Sequence, residues 1–463
     1  MDNYDVIIVG AGPAGLFAAL ELSGSGLEVL LVEKGNDIND RRCPMKAEKV
    51  TCRHCSPCSV VCGVGGAGAF SDGKLTLTAD FGGILHEIIG RAPLEELIRY
   101  VDDVYRRFGA TEEVFGENVP AVSELKRQAA AAGLSLIPAR IRHLGTEKCL
   151  QIVSRLRAYL NGRVEVITNL PVDRILCEDG RVRGVFAGGR EYRADCVICG
   201  PGREGSEWFA AEAERLGLPA ANNPVDIGVR VEVPASVLEN ITGAVYESKL
   251  IYYSRSFDDR VRTFCMNPHG EVVIENNSGL ITVNGHSYAE KKTDNTNFAL
   301  LVSKSFTEPF KEPIRYGKNV AQLANMLGGG VLVQRLGDLL DGRRSTSERI
   351  KRGMVNPTLQ DATPGDLSLV LPYRHLVAIL EMLEALDKIA PGINSRHTLL
   401  YGVEVKFYSS RLAVNERLET RIDNLFAVGD GAGITRGLAQ ASAAGVLAAR
   451  GILARTGRKR GER

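Results

Sequence analysis

Residues 4–33 read Y-D-V-I-I-V-G-A-G-P-A-G-L-F-A-A-L-E-L-S-G-S-G-L-E-V-L-L-V-E. An apolar run, a glycine turn, an amphipathic stretch, a second apolar run and a terminal acid follow in register, which predicts a strand, a helix and a parallel strand. Gly10 permits the tight turn, Gly12 lets the backbone approach a pyrophosphate, and Gly15 lets the helix pack close to the sheet. Pro13 and Ala14 open that helix, whose unpaired N–H groups and positive dipole end suit phosphate. Glu33, eighteen residues after Gly15, is placed to accept from ribose hydroxyls, with Lys34 beside it. The stretch predicts an α/β dinucleotide-binding domain.

The other end of the chain returns to this domain. Residues 424–445 read N-L-F-A-V-G-D-G-A-G-I-T-R-G-L-A-Q-A-S-A-A-G, which resembles the second flavin motif of the glutathione-reductase-like FAD enzymes. The resemblance implies FAD, with Gly429 and Asp430 at the ribityl hydroxyls. It also implies a helix opening at Gly437, Leu438, Ala439 and Gln440 that faces the flavin pyrimidine, where negative charge collects on reduction. Between the two motifs, residues 163–202 alternate apolar and polar positions around the turn pairs Asp179-Gly180 and Gly188-Gly189, as in a β-meander. They run to Cys199-Gly200-Pro201-Gly202, in place of the Ala-Thr-Gly turn of those enzymes, and Val172 stands where that family holds adenine through the backbone. Cys177, Cys196 and Cys199 read as small core residues.

Five of the ten cysteines fall between residues 43 and 62. Cys52, Cys55 and Cys58 are spaced C-x2-C-x2-C, which lets three thiolates of one loop meet one face of a metal cluster. The fourth ligand is Cys43, followed by Pro44, or alternatively Cys62; Cys43 is preferred because Cys62 leads straight into a glycine loop. A [4Fe-4S] cluster is the expectation, against zinc and against redox thiols. The glycine loop, G-V-G-G-A-G-A-F-S-D-G-K-L at 63–75, has five glycines in its first eleven residues. Its backbone can lie flat on a ligand. Gly65, Gly66, Ala67, Gly68, Ser71 and Asp72 are expected along the pyrophosphate and flavin edge, and Lys74 as a cation near the flavin N1.

Composition sets the remaining bounds. With 463 residues, 44% of them hydrophobic, the chain can form two or three packed domains. The net charge of +1 does not call for nucleic acid as a partner. No long apolar window or leader is evident, so a cytoplasmic protein is expected, and cysteines in a reducing compartment favour ligands over disulfides. The organisation expected is a first βαβ at 1–36, the cysteine and glycine segment at 37–75, a mainly helical insertion over the cysteine loop at 76–140, and the FAD-binding helix and meander at 141–203. An α+β substrate domain with an antiparallel sheet follows at 204–400, then the FAD-binding return at 401–455 and a basic tail at 456–463. Gly328-Gly329-Gly330 is read as a flexible junction.

The cysteine and glycine motifs, with R-H-L-G-T at 142–146 and D-I-G-V-R-V-E at 226–232, resemble a group known only as FAD-dependent dehydrogenases or NAD(P)/FAD-dependent oxidoreductases. The resemblance spans nearly the whole chain and implies no substrate. The sequence departs from that group at Cys62, at C-M-N-P-H-G (265–270) and at G-V-E-V-K-F-Y-S-S-R (402–411). Candidate acid-base or substrate groups are Arg230, Glu232, Cys265, His269, His286 and Arg411, with Glu404 and Lys406 foremost because their strand leads into the flavin strand. His143 is a further candidate. Only one dinucleotide unit is present, so either NAD(P)H binds transiently over the ring or electrons enter singly, from a carrier such as ferredoxin. The reaction expected is hydride exchange at flavin N5 with a small organic substrate. An electron carrier or redox sensor is the alternative, as is an RNA-modifying enzyme, which needs a basic face.

Overall fold

The computed structural model describes residues 3–44, 55–277, 279–287, 292–306, 312–407 and 409–457. The chain forms two compact units, one made of Met1–Glu113, Arg142–Asn223 and Tyr408–Arg463, the other of Val114–Ile141 and Pro224–Phe407. The boundaries therefore fall later than the sequence suggested, at 223/224 and 407/408, and the helical insertion is divided between the units.

In the first unit, β1 (Asn3–Val9), α1 (Pro13–Leu22) and β2 (Val29–Val32) form the expected βαβ. β1 pairs in parallel with β2 on one side and with the strand Arg190–Cys199 on the other. Val6, Ile7 and Ile8 are fully buried, because helices cover both faces of a parallel sheet. Glu165–Ile167 extends the sheet beyond β2, and the returning strand Leu425–Ala427 pairs in parallel with Arg190–Cys199. The meander strands Val172–Glu178 and Arg181–Ala187 join antiparallel. Their turns are the two predicted pairs, with φ of 50° and 74° at Asp179-Gly180 and 56° and 79° at Gly188-Gly189, the left-handed geometry that two-residue hairpins require.

The C-terminal helix Leu438–Thr456 lies against α1, and a Cβ on Gly445 would stand 1.9 Å from the Ala14 carbonyl oxygen. Only glycine allows that crossing. The helix Arg91–Arg107 buries Leu94, Leu97, Ile98, Val101, Val104 and Tyr105 along one stripe. Tyr105 packs against Phe17 of α1, ring centroids 5.2 Å apart and tilted by 33°, and its hydroxyl is 3.4 Å from Ser442 Oγ. This apolar face is thus engaged by α1 and the C-terminal helix, while residues 45–54 of the cysteine loop lie outside the described residues.

The second unit is an eight-stranded sheet centred on Val225–Pro234, which pairs antiparallel with Asn295–Lys304 and Leu399–Lys406. Alternation sorts the central strand: Val225, Ile227, Val229, Val231 and Val233 enter an apolar core with the helix Tyr373–Asp387. Asp226, Arg230 and Glu232 occupy the opposite face and are also buried. A hairpin, Glu271–Asn277 with Leu280–His286, completes the unit. Gly329, at φ 68°, is the C-cap of the helix Pro313–Gly328, so the triple glycine is a helix stop and not a flexible junction. Among the described residues no helix is long and apolar enough to cross a membrane.

Candidate flavin site

Among the first-unit helices that begin on glycine without a side-chain cap are α1, at Gly12, and the C-terminal helix, at Gly437. Pro13 has no N–H to satisfy, and the first-turn amides that remain are open to an anion. The three fingerprint glycines divide the work. Cβ atoms on Gly10 and Gly15 would stand 2.4 Å from the Gly200 oxygen and 1.9 Å from the Gly10 oxygen, whereas one on Gly12 meets nothing within 4 Å. Packing thus demands Gly10 and Gly15, and Gly12 faces open space.

The glycine loop touches both helix openings. Gly65 N–H donates to the Ala11 carbonyl at 2.7 Å, a Cβ on Gly66 would lie 3.1 Å from Gly12 Cα, and one on Gly68 would meet Leu438 Cδ2 at 2.6 Å and Pro13 Cγ at 3.3 Å. Ala67 lies within the tight turn Gly66–Phe70. Ser71 shapes this loop, its hydroxyl donating to the Gly68 carbonyl at 2.9 Å and accepting from Gly73 N–H at 3.2 Å. Lys74 pairs with Asp72 at 3.1 Å and is nearly buried, so the cation expected at the flavin is held by a carboxylate. His143 ends the strand that pairs with Lys74–Thr76.

The acidic residues are more engaged than expected. Glu33 Oε1 accepts from Gly35 N–H (2.9 Å) and Gly63 N–H (3.0 Å), and Oε2 accepts from Ala11 N–H (2.8 Å). One acceptor position on Oε2 remains for a ribose hydroxyl. Glu33 therefore also fastens the glycine loop to the βαβ unit. Lys34 pairs with Glu204 at 3.8 Å on the surface. Asp430 accepts from Thr435 Oγ1 at 2.7 Å and from Arg203 Nε at 3.1 Å. Gly429, at φ 76°, turns the chain into that position. Gly200 N–H donates to the Val9 carbonyl at 2.9 Å, and the Gly202 carbonyl would be 2.6 Å from a Cβ on Gly431. Val172 pairs with Ala187 in the meander. Ala439 is buried beside Gln440, whose Nε2 donates to the Phe81 carbonyl at 3.1 Å. Gln440 braces the loop 81–84, which also bonds to 434–436. The uncapped helix starts, the open face of Gly12 and the spare Glu33 acceptor fit the phosphates and ribose of a dinucleotide.

Arg41 went unnoticed in the sequence. It is 5% exposed and donates to the carbonyls of Ser59 (2.9 Å), Val60 (2.9 Å) and Val64 (2.7 Å), with Gly63 at 3.5 Å. Burial pulls its guanidinium down to about 10, although Glu33 opposes the fall. Cys62 is buried and its amide donates to the Cys58 carbonyl at 2.8 Å. Burial pushes its thiol up to about 11. Cys55 is exposed, Cys43 and Cys58 are half-buried, and the expected ligand Cys52 lies outside the described residues. Among the described residues no three His, Cys, Asp or Glu side chains form a metal-holding group. Burial likewise raises Cys196 to about 11 and Cys199 further, in keeping with core thiols.

The second unit holds the other candidates in one buried network. All five Arg230 N–H donors are used, two on Glu404 at 2.7 Å and the others on the Cys265 carbonyl, Asn297 and Asn284. Lys406 pairs with Glu404 at 3.2 Å and Glu275 at 3.3 Å. Burial pulls the Lys406 ammonium down, but these two carboxylates outweigh it and the net shift is upward. Glu404 is 0% exposed. The pair read as foremost acid-base candidates is therefore part of a charge-balanced brace that joins the sheet to the hairpin. Glu232 accepts from Tyr401 (2.5 Å), Thr358 (2.6 Å) and Asn295 (3.1 Å). Cys265 is half-buried with φ 47°, and its amide donates to Glu247. His269 Nδ1 is 2.9 Å from the Thr293 carbonyl, and Arg411, in the first unit, pairs with Glu87.

Comparisons with known proteins follow the same division. Residues 3–53 match the family described as "FAD binding domain", and residues 224–407, the long segment of the second unit, match "FAD-dependent protein, C-terminal domain-like". An uncharacterized protein of Clostridium beijerinckii is 29% identical over 477 aligned residues, covering 96% of this chain and 80% of that one. Protein FixC of Escherichia coli is 26% identical over 248 residues, 52% of this chain and 46% of its own length. The crystal structure of glycine oxidase from Geobacillus kaustophilus aligns with a TM-score of 0.41 at 13% identity, over 98% of this chain and 95% of that one. With matches to an FAD-binding domain at 3–53 and to the C-terminal domain of an FAD-dependent protein at 224–407, the chain reads as an FAD-dependent oxidoreductase.

Proposed function

We propose that the protein is a cytoplasmic dehydrogenase or reductase that exchanges a hydride with a small organic substrate. The observation that carries this reading is the glycine loop lying against the first residues of α1 and of the C-terminal helix, at Pro13 and Leu438. In this reading the N-terminus of α1 holds the pyrophosphate, Glu33 Oε2 accepts from the ribose, and Asp430 accepts from the ribityl chain. The Leu438 helix start places positive dipole at the flavin pyrimidine. Bound FAD supplies hydride exchange at N5 and one-electron steps. The chain supplies the clamp: Glu33 and Arg41 fasten residues 59–64, and Gln440 fastens 81–84.

A cysteine-ligated cluster and a ferredoxin or transient NAD(P)H donor are finer parts of the same reading. The C-x2-C-x2-C spacing supports the cluster. The described cysteines alone do not assemble a metal site, so no electron step is assigned through one. Metal analysis after anaerobic purification decides it: iron with matching sulfide supports the cluster, and zinc or no metal removes it. For the catalytic reading, dithionite-reduced protein is mixed anaerobically with a panel of unsaturated metabolites while flavin absorbance is followed. Stoichiometric FAD with reoxidation by one substrate class supports an enzyme. Stoichiometric FAD with reoxidation only by carrier proteins makes it an electron carrier.

A further inference from the structure

The chain as a whole is nearly neutral, at +1, yet the stretch 335–352 alone holds six cations against three carboxylates. This stretch lies in the second unit and includes the short helices Leu336–Leu340 and Ser347–Lys351. Arg396 joins it, donating to the Gly337 carbonyl at 3.2 Å and pairing with Asp341. Its parts are knitted together: Arg335 donates to the Arg349 carbonyl at 3.3 Å and lies 3.3 Å from His397 Nδ1, and Arg349 donates to the Arg344 carbonyl at 3.0 Å. Two of the three carboxylates are spent internally. Asp338, 1% exposed, holds Arg343 at 3.1 Å and Ser345 at 2.8 Å. Asp341 also binds Arg343, at 2.9 Å. Arg344, Lys351 and Arg352 are exposed and, among the described residues, make no close ion pair; Glu348, exposed on the same short helix, is the carboxylate that feels Lys351 and Arg352. Two large apolar side chains stand exposed among them, Met354 at 77% and Leu340 at 51%.

We propose that this surface docks a partner protein through a carboxylate-rich face. Exposed cations in excess of the local carboxylates attract carboxylates from a distance and orient the encounter. Arginine forks pair two-pronged with carboxylates. Exposed methionine among arginines has the composition of an interface core. RNA is the competing polyanion, and the chemistry favours protein: residues 335–356 and 394–398 contain no Phe, Tyr or Trp on which bases could stack.

The test uses the full-length FAD-loaded protein, a fluorescein-labelled oligoglutamate peptide and an oligouridylate of equal charge, read by fluorescence anisotropy across a salt series. The wild type is expected to bind oligoglutamate more tightly than oligouridylate, with affinity falling as salt rises. R344E/K351E/R352E should weaken peptide binding about tenfold or more, since each exposed pair contributes up to about 1 kcal/mol. K126E/R127E, on the separate helix Val119–Ala131, should leave binding unchanged, and unaltered FAD content certifies the fold of both variants. Failure of the wild type to bind, or equal loss in the two variants, overturns the proposal. Tighter binding of oligouridylate, lost in the triple variant, also overturns it and makes the surface a nucleic-acid face.

Discussion

His375 offers a quantitative test of how the second unit is assembled. The side chain is 2% exposed on the helix Tyr373–Asp387, and neither ring nitrogen has a hydrogen-bond partner among the described residues. Burial depresses its pKa from 6.5 to about 4, helped by Lys304 and Arg374 and opposed by Asp259. Above pH 6.5 the ring is neutral in the folded and unfolded chain, so it contributes no pH dependence. Between 6.5 and about 4 only the unfolded chain takes up the proton, and stability falls with pH. Each pH unit costs about 1.4 kcal/mol, so roughly 3 kcal/mol is lost by pH 4. H375L removes both unpaired nitrogens without breaking a hydrogen bond. It should match or exceed the wild-type urea midpoint at pH 7.5 and lose that part of the acid sensitivity. Histidine ring NMR on the full chain gives a second reading, in which the resonance absent from H375L titrates near 4. A resonance titrating near 6.5, or parallel pH–stability curves for the two proteins, would refute the reasoning.

Further outcomes follow from the first unit and the buried network. G15A drives a Cβ to 1.9 Å from a backbone oxygen and should cost about 1–3 kcal/mol with loss of bound FAD. G68A meets only the flexible end of Leu438 and Pro13 Cγ and should retain FAD, as measured by absorbance of the purified proteins. R41M leaves the carbonyls of residues 59–64 unpaired and should lower stability by about 3 kcal/mol with weakened FAD retention, read by thermal melting and flavin fluorescence. E404Q strands Arg230 in the interior and should cost about 3–5 kcal/mol. If E404Q melts like wild type but loses turnover, Glu404 is an acid-base group and the structural assignment fails.

How much could be read in advance depended on sequence distance. The βαβ unit, the hairpin turns and the returning flavin strand were legible because each depends on neighbours a few residues apart, where glycine freedom and alternation act directly. Arg41 was not, since a lone arginine after β2 gives no hint that it will satisfy carbonyls near residue 60. Glu404 and Lys406 were legible as acid-base candidates, but the guanidinium that engages Glu404 was not, because it lies 174 residues away. Lys74 and Ser71 were placed in the right loop, yet the loop itself uses them.

The sequence by itself determined that a dinucleotide would be bound and where the chain would turn to bind it, because glycine's conformational range and the helix dipole are local properties. Only the tertiary structure decided which charges stay available. A carboxylate or guanidinium is free or spent according to what the fold packs against it. Burial makes that distinction costly enough to settle whether a residue holds the protein together or remains for a ligand.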